Sequence, residues 1–360
     1  MLATDAQGNL GGISQYNIDV IEALSGLAEV ESVVVVAMSP GDRSEHVPPK
    51  VRYSARPRGG VSSFLRASLF EAMKPGGFDI IYCAHIDLMP VAALLGKIFR
   101  KPVVLAIYGI DAWWVPKRKL TERASGMATL VLSISQITLD RFREWNPIDI
   151  HRTAIVPNAI RVEQFGRAER NSILVERYGL EGRKVIMTFG RMHPDEQAKG
   201  FDQVIDVLPT LRETRPDLTY LLVGDGGDRK RLEEKAEALG VDDMVVLTGR
   251  IPEETKADHY RLADAYVMPS RLEGFGFVVI EALACGIPVI ASKLDGTAEA
   301  VRGGELGLIV DPDEPEALRQ AIVQTIDVPK EVPTGLEYFS VENFKARIRA
   351  ALAKVSEMQR

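Results

Sequence analysis

Short apolar runs alternate with stretches whose apolar positions recur every three or four residues along most of the 360-residue chain. The run at 32–38 holds four consecutive valines, the unbroken pattern of a strand buried on both faces, as in a parallel sheet. Residues 78–84, 102–108, 129–134 and 153–156 read the same way. Ahead of them, Ile13, Tyr16, Val20, Ile21 and Leu24 share one helical face behind a glycine-rich loop at 8–12. Residues 1–4 carry only the end of a strand signal. This β-α alternation predicts a doubly wound α/β unit.

Val156-Pro157-Asn158 breaks the rhythm, and residues 159–183 are polar with no strand signal. The connection between two halves is expected there. A second series starts at Lys184, with strands at 185–189, 219–223, 245–247, 265–268, 288–291 and 308–310, and its clearest helix at 228–239. Phe344, Ile348, Leu352 and Val355 then fall on one face of a closing amphipathic helix. The chain is therefore expected to form two Rossmann-like doubly wound parallel-sheet domains, 1–165 and 166–339, with the helix at 340–360 packing back on the first. Such sheets bind ligands beyond the carboxyl ends of their strands, and two halves facing each other would form a central cleft.

Composition agrees with a soluble globular protein, at 46% hydrophobic and 26% charged residues. The longest apolar region, 90–110, is interrupted by Lys97, Arg100 and Lys101, so it does not read as a membrane span. The first residues lack the form of a signal peptide, and a cytoplasmic protein is expected. Cys83 and Cys285 sit in distant apolar runs as buried free thiols, and five scattered histidines lack ligand spacing, so no metal cluster is expected. The net charge of −6 is uneven: residues 1–170 carry 20 Lys and Arg against 17 Asp and Glu, the remaining 190 carry 24 against 33. Overall acidity argues against nucleic-acid binding. Arg56, Arg58, Arg66 and Lys74, and Lys117-Arg118-Lys119, are either solvated basic faces or contacts for an anionic membrane.

The densest chemistry lies at 269–286. A strand stops at Pro269, Gly274 and Gly276 flank Phe275, and Val278, Ile280, Leu283 and Ala284 have helical spacing up to Gly286. Strand, glycine loop and helix point backbone N–H groups and a helix dipole at an anion. Glu273 and Glu281 bracket that turn. By itself this is equally a buried strand-to-helix turn with two solvated glutamates. Gly190-Arg191 closes the first strand of the second half and Lys199-Gly200 follows, two cations suited to hold a leaving diphosphate. Thr248-Gly249-Arg250-Ile251 offers backbone to a base edge, although an ordinary strand-to-loop junction explains it as well. Leu294-Asp295-Gly296-Thr297 is a weak further glycine turn. Gly224-Asp225-Gly226-Gly227 lacks dinucleotide spacing and reads as a turn before a helix, and Asp311-Pro312-Asp313 reads as a surface turn.

Together these residues resemble a family 4 retaining glycosyltransferase of the GT-B fold. The resemblance rests on Gly11-Gly12, Val156-Pro157-Asn158, Gly190-Arg191, Lys199-Gly200 and the E-x7-E pair Glu273/Glu281 with its Ala282-Leu283-Ala284-Cys285-Gly286-Ile287-Pro288 tail. It implies that Arg191 and Lys199 hold the diphosphate of a GDP- or UDP-linked sugar, helped by the amides of Phe275, Gly276, Phe277 and Val278 beside Gly274. Glu273 would meet the sugar hydroxyls, Glu281 the ribose, Arg250 and Ile251 the base, and Gly11 and Gly12 would admit the diphosphate. Transfer would proceed with retention and without a metal or other cofactor. One departure is that an expected His-Gly-x-Glu/Asp segment reads Tyr108-Gly109-Ile110-Asp111, with His85 on the preceding strand end. Tyr108, His85 and Asp111 are therefore the acceptor-side candidates; for His85 a structural cap is an equal reading. The nearest subgroup implies mannosyl or glucosyl transfer to a glycan or lipid-linked acceptor at the inner membrane face. A nucleotide-sugar epimerase or hydrolase of the same fold and a silent nucleotide-binding scaffold are the alternatives.

Overall fold

A computed structural model describes residues 1–5, 11–39, 47–54 and 60–359. The residues fall into two parallel sheets. The first has seven strands: β1 (Leu2–Asp5), β2 (Val33–Ser39), β3 (Val51–Tyr53), β4 (Ile81–Cys83), β5 (Val103–Ile107), β6 (Leu130–Ser133) and β7 (Thr153–Ile155), in the order β3-β2-β1-β4-β5-β6-β7. The second has six: β8 (Lys184–Phe189), β9 (Leu218–Val223), β10 (Val245–Leu247), β11 (Ala265–Met268), β12 (Val289–Ser292) and β13 (Leu308–Val310), in the order β10-β9-β8-β11-β12-β13. Each sheet grows outward one way, returns to its centre and grows the other way. The switch points lie between β1 and β4 and between β8 and β11, where doubly wound sheets hold their ligands.

Burial on both faces explains the unbroken apolar strands. Every residue of β5, β6, β9, β11 and β12 is buried. In the second sheet Ile186, Tyr220, Val267 and Ile290 meet Val204 and Leu208 of the helix Phe201–Thr214 and Ile322 of the helix Pro315–Thr325. In the first, Cys83, Leu105 and Ile107 meet Val91 and Leu95 of the helix Met89–Phe99. That helix and β5 divide the 90–110 apolar region between them. Among the described residues no helix is long and apolar enough to cross a membrane. Cys83 and Cys285 are buried free thiols, and burial pushes both up to about 12.

Some details differ from the sequence expectation. The first strand signal is a full central strand, because β1 is paired on both sides, Leu2 with Val36 and with Cys83. The edge strand β3 was not expected; three residues are too few to show a period. In the closing helix, observed at Val341–Glu357, Ala351 rather than Leu352 joins the buried face with Phe344, Ile348 and Val355.

The chain separates into two compact units, Met1–Ala159 with Val341–Arg360, and Ile160–Ser340. The division precedes residue 165 because the Ile160 N–H donates to the Phe339 carbonyl at 2.8 Å, tying residue 160 to the second unit. The closing helix belongs to the first, where Phe344 packs edge-on against Tyr16 at 5.3 Å and Lys354 Nζ donates to the Thr153 carbonyl. Gly8 of the first glycine loop, Arg56 and Arg58 lie outside the described residues.

Candidate functional site

At the switch point of the second unit the structure brings several of the expected residues together. Pro269 ends β11, and Gly276 heads the helix Phe277–Ala284, whose first turn no side chain caps. The backbone N–H groups of Phe277 and Val278 thus begin a helix with its dipole uncompensated by an acid. At the other end the Ile287 N–H reaches the Ala282 carbonyl (3.0 Å) and the Gly286 N–H that of Leu283 (2.9 Å), a Schellman closure. Phe275, between the glycines, is buried edge-on against Phe339.

Glu273 sits just ahead of this turn with its carboxylate 3.7 Å from Lys199 Nζ. The loop bearing Lys199 is fastened to the same place, since the Arg271 N–H donates to the Ala198 carbonyl at 2.8 Å. Arg191 is exposed just beyond β8. Its backbone runs beside Gly224, where a Cβ would lie 2.0 Å from the Gly190 carbonyl oxygen; any larger residue there would displace the Arg191 segment. The glycine turn at 224–227 is thus the support of the cation segment as well as the lead into the helix Arg229–Ala238.

Glu281 is buried on the helix. One carboxylate oxygen accepts from Lys256 Nζ at 2.7 Å, the other from the Tyr260 hydroxyl at 2.7 Å. Tyr260 in turn stacks on Phe189, and Lys256 lies over the same ring. Burial works against the Lys256 charge, but the Glu281 carboxylate outweighs it and holds the ammonium above its ordinary value. Arg250, exposed, and Ile251, half-buried, precede Lys256 on the connection from β10.

Lys256 and Tyr260 carried no sequence signal, because a lysine and a tyrosine on a seven-residue helix are ordinary. Asp295 was visible only as part of a weak turn. In the structure it is buried: Oδ2 accepts from the Ser270 hydroxyl (2.5 Å) and the Glu273 N–H (2.9 Å), and Oδ1 from the Thr297 hydroxyl (2.7 Å). The Gly296 N–H donates to the Glu273 carbonyl at 2.8 Å, and a Cβ at 296 would lie 2.1 Å from the Gly274 oxygen. The segment after β12 therefore fixes the backbone of Glu273 from both sides. The Thr297 N–H adds a fourth donor, to Asp295 Oδ1 at 3.1 Å, and burial raises the Asp295 carboxyl against these four, which favour its charge. Asp311 and Asp313, by contrast, pair with Lys293 and Arg271.

The first unit holds the remaining candidates. Gly11 and Gly12 are exposed at the start of the helix Gly12–Ser25, after β1, and a Cβ on Gly11 would meet nothing within 4 Å among the described residues. His85 follows β4; its Nδ1 accepts from the Asp87 N–H at 3.2 Å and caps the turn Ile86–Leu88. The cap leaves the ring proton on Nε2, and burial lowers the His85 pKa, keeping the imidazole neutral at pH 7. Tyr108 is buried at the end of β5, with its hydroxyl donating to Asn17 Oδ1 at 2.9 Å and its ring edge-on to Tyr16. Asp111, three residues on, accepts the Tyr108 N–H on Oδ1 (3.2 Å), while its buried Oδ2 has no hydrogen-bond partner among the described residues. Burial pushes this carboxyl up to about 7, against the backbone bonds that favour its charge.

Two doubly wound units with polar groups gathered at both switch points, and an acid on either side of a glycine loop in the second, have the architecture expected of the GT-B class, and the comparisons with known proteins agree. Residues 174–333 match the family described as Glycosyl transferases group 1, and residues 10–164 match Glycosyltransferase Family 4. The chain is 31% identical over 278 residues to the GDP-mannose-dependent alpha-(1-6)-phosphatidylinositol monomannoside mannosyltransferase of Mycolicibacterium smegmatis, 72% of each chain being covered. Against the alpha-D-kanosaminyltransferase of Streptomyces kanamyceticus it is 28% identical over 269 residues, covering 69% of this chain and 68% of the other. Anabaena HepE, solved in complex with UDP, superposes with a TM-score of 0.77 at 22% identity over 98% of this chain and 99% of that one. The chain belongs to glycosyltransferase family 4, and it is a hexosyltransferase of the GT-B fold.

Proposed function

We propose that the enzyme moves a hexose, mannose ahead of glucose, from a nucleoside diphosphate sugar to a glycan or lipid-linked acceptor in surface polysaccharide assembly, with retention and without a divalent metal. The observation that carries this reading is the Lys199–Glu273 pair at the head of the helix Phe277–Ala284. A cation, uncapped amides and a helix dipole converge there, and they suit a departing diphosphate. The adjacent carboxylate suits the hydroxyls of the sugar attached to it. Glu281, presented by Lys256 and Tyr260, keeps lone pairs for the two ribose hydroxyls. The dependence of the mycobacterial relative on GDP-mannose favours mannose, and the UDP and UDP-glucose complexes of HepE keep glucose in view.

In this reading the bond from the anomeric carbon to the diphosphate oxygen breaks while an acceptor hydroxyl adds from the same face. The hydroxyl proton passes to the departing phosphate oxygen. Arg191, Lys199 and the helix terminus offset the charge that grows on the diphosphate. His85, as a neutral Nε2–H donor, and Asp111 serve the acceptor side; Tyr108 holds Asn17 and the Asp111 turn in place.

A thermal-shift panel of GDP, UDP and ADP with their mannose and glucose conjugates tests the donor. GDP and GDP-mannose are expected to stabilise the protein most. Glu273→Ala is expected to lose about two to three orders of magnitude in transfer. Transfer at the parent rate by that variant, or nucleotide release that is indifferent to acceptor, would overturn the proposal, the latter in favour of a hydrolase.

A further inference from the structure

Directly after the Asp111 turn the chain makes an exposed tip. Trp114 is 56% exposed, Val115 53% and Leu120 68%, high values for three large apolar side chains so close together. Lys117, Arg118 and Lys119 lie among them, all exposed, and none of their side chains forms an ion pair among the described residues. The helix Lys119–Ser125 turns Thr121, Ala124 and Ser125 inward and Lys119, Leu120 and Arg123 outward.

The tip is mounted on a rigid base. Trp113, next to the exposed Trp114, is buried, donates from Nε1 to Thr138 Oγ1 at 3.1 Å and carries the Arg141 guanidinium 3.8 Å above its ring. The Trp145 Nε1–H donates to the Ala112 carbonyl at 2.9 Å. Trp114 is therefore presented to water by an ordered support, since its chain neighbour is locked on the other side.

We infer that this tip, Trp114 and Val115 with Leu120 ringed by Lys117, Arg118 and Lys119, docks on an anionic lipid bilayer. Charge decides the occupant. Lysine is depleted at protein interfaces, whereas tryptophan beside lysine and arginine is the composition of a polar–apolar membrane boundary. The chain as a whole is acidic, at −6, so an anionic surface repels most of it and attracts this segment. The inference deepens the proposed function at its acceptor side: the tip begins three residues after Asp111, which places a bilayer beside the candidate acceptor residues. A lipid-linked acceptor would then be met at the membrane surface.

The test is co-sedimentation of the full chain with vesicles of phosphatidylcholine alone or with added phosphatidylglycerol. Binding is expected only with the anionic lipid, weakening with salt, and the tryptophan emission is expected to shift to the blue. Trp114→Phe should remove most of that shift, because Trp113 and Trp145 stay where they are. The triple variant K117Q/R118Q/K119Q should lose about fivefold in partitioning per cation, on the order of a hundredfold in all. V115S/L120S should weaken binding by about tenfold while keeping its salt dependence. Circular dichroism melts matching the parent verify that these surface variants fold. No binding to the mixed vesicles, or binding unchanged in both multiple variants, overturns the inference. So does concentration-dependent self-association that Trp114→Ala abolishes, which would make the tip an interface between copies. Donor thermal shifts and transfer to a water-soluble acceptor are read on the same variants. They should be unchanged, so a failure of the donor reading is distinguishable from a failure of the membrane one.

Discussion

Glu281 shows how a single buried carboxylate is held in place by its neighbours. Its two oxygens are bonded by Lys256 and Tyr260 at 2.7 Å each, and the neighbours fix its rotamer. Removing one partner leaves a buried charge half satisfied, which costs about 3 kcal/mol for the lysine and about 2 kcal/mol for the hydroxyl. Lys256→Met and Tyr260→Phe are accordingly expected to raise the donor KM about tenfold or more with a smaller change in kcat; a melt and a donor titration check both. Asp111 makes the opposite case, a carboxyl whose surroundings disfavour its charge. Its folded pKa of about 7 lies above the ordinary value of about 4. Below pH 4 the proton is held in both states. Between about 4 and 7 the unfolded chain releases it while the folded chain keeps it, so stability falls through that window and levels off above it. Asp111→Asn has no such titration, so its stability relative to the parent should improve from pH 5 to pH 8. Transfer should meanwhile be lost at every pH. Chemical denaturation at the two pH values measures the first and a transfer assay the second. A stability difference that does not move with pH would show that Asp111 is not the titrating group.

At the scale of elements, the proposed donor loop depends on a segment that is remote in sequence. Asp295, 22 residues after Glu273, bonds the Glu273 N–H, and Gly296 passes close enough to bond its carbonyl. Gly296→Ala would drive a Cβ into the Gly274 oxygen, a backbone contact with no flexible side chain to yield. The expected result is a loop displaced from the helix terminus: donor-induced stabilisation falls by most of its value while the far-ultraviolet spectrum is kept. Ala298→Gly, two residues on, should leave the donor shift intact. The same contrast explains what was legible in the sequence. The E-x7-E spacing could be read because both acids flank one continuous loop and helix. The strands β10, β11 and β13 fell where the apolar runs placed them: β11 is buried on both faces and shows it in every residue, and the edge strands β10 and β13 are apolar throughout although only partly buried. Asp295, Lys256 and Tyr260 could not be read, because their partners come from segments 21 to 25 residues away and leave no period. Tyr108 looked like a cleft residue by position, yet Asn17 on a distant helix draws its hydroxyl inward.

At the scale of the molecule, the first unit is assembled from both ends of the chain. The helix Val341–Glu357 returns to it after the whole second unit has been made, and buries Phe344, Ile348, Ala351 and Val355 there. The second unit is continuous, from Ile160 to Ser340, and holds Arg191, Lys199, Glu273 and Glu281, all the proposed donor residues except Gly11 and Gly12. The two should therefore respond to different perturbations. Phe344→Ala deletes a fully buried ring that packs on Tyr16, a loss of about 4 kcal/mol from the first unit. That corresponds to a melting transition lowered by roughly 10 °C for a unit of this size. A donor nucleotide at about a hundred times its Kd adds about 2.7 kcal/mol to whatever unit binds it. Scanning calorimetry of Phe344→Ala with and without GDP is expected to separate one early transition that ignores the nucleotide from a later one that moves up with it. If the early transition moved with GDP instead, the first unit would be supplying the donor contacts, and the assignment of Lys199, Glu273 and Glu281 to the diphosphate, sugar and ribose would have to be given up.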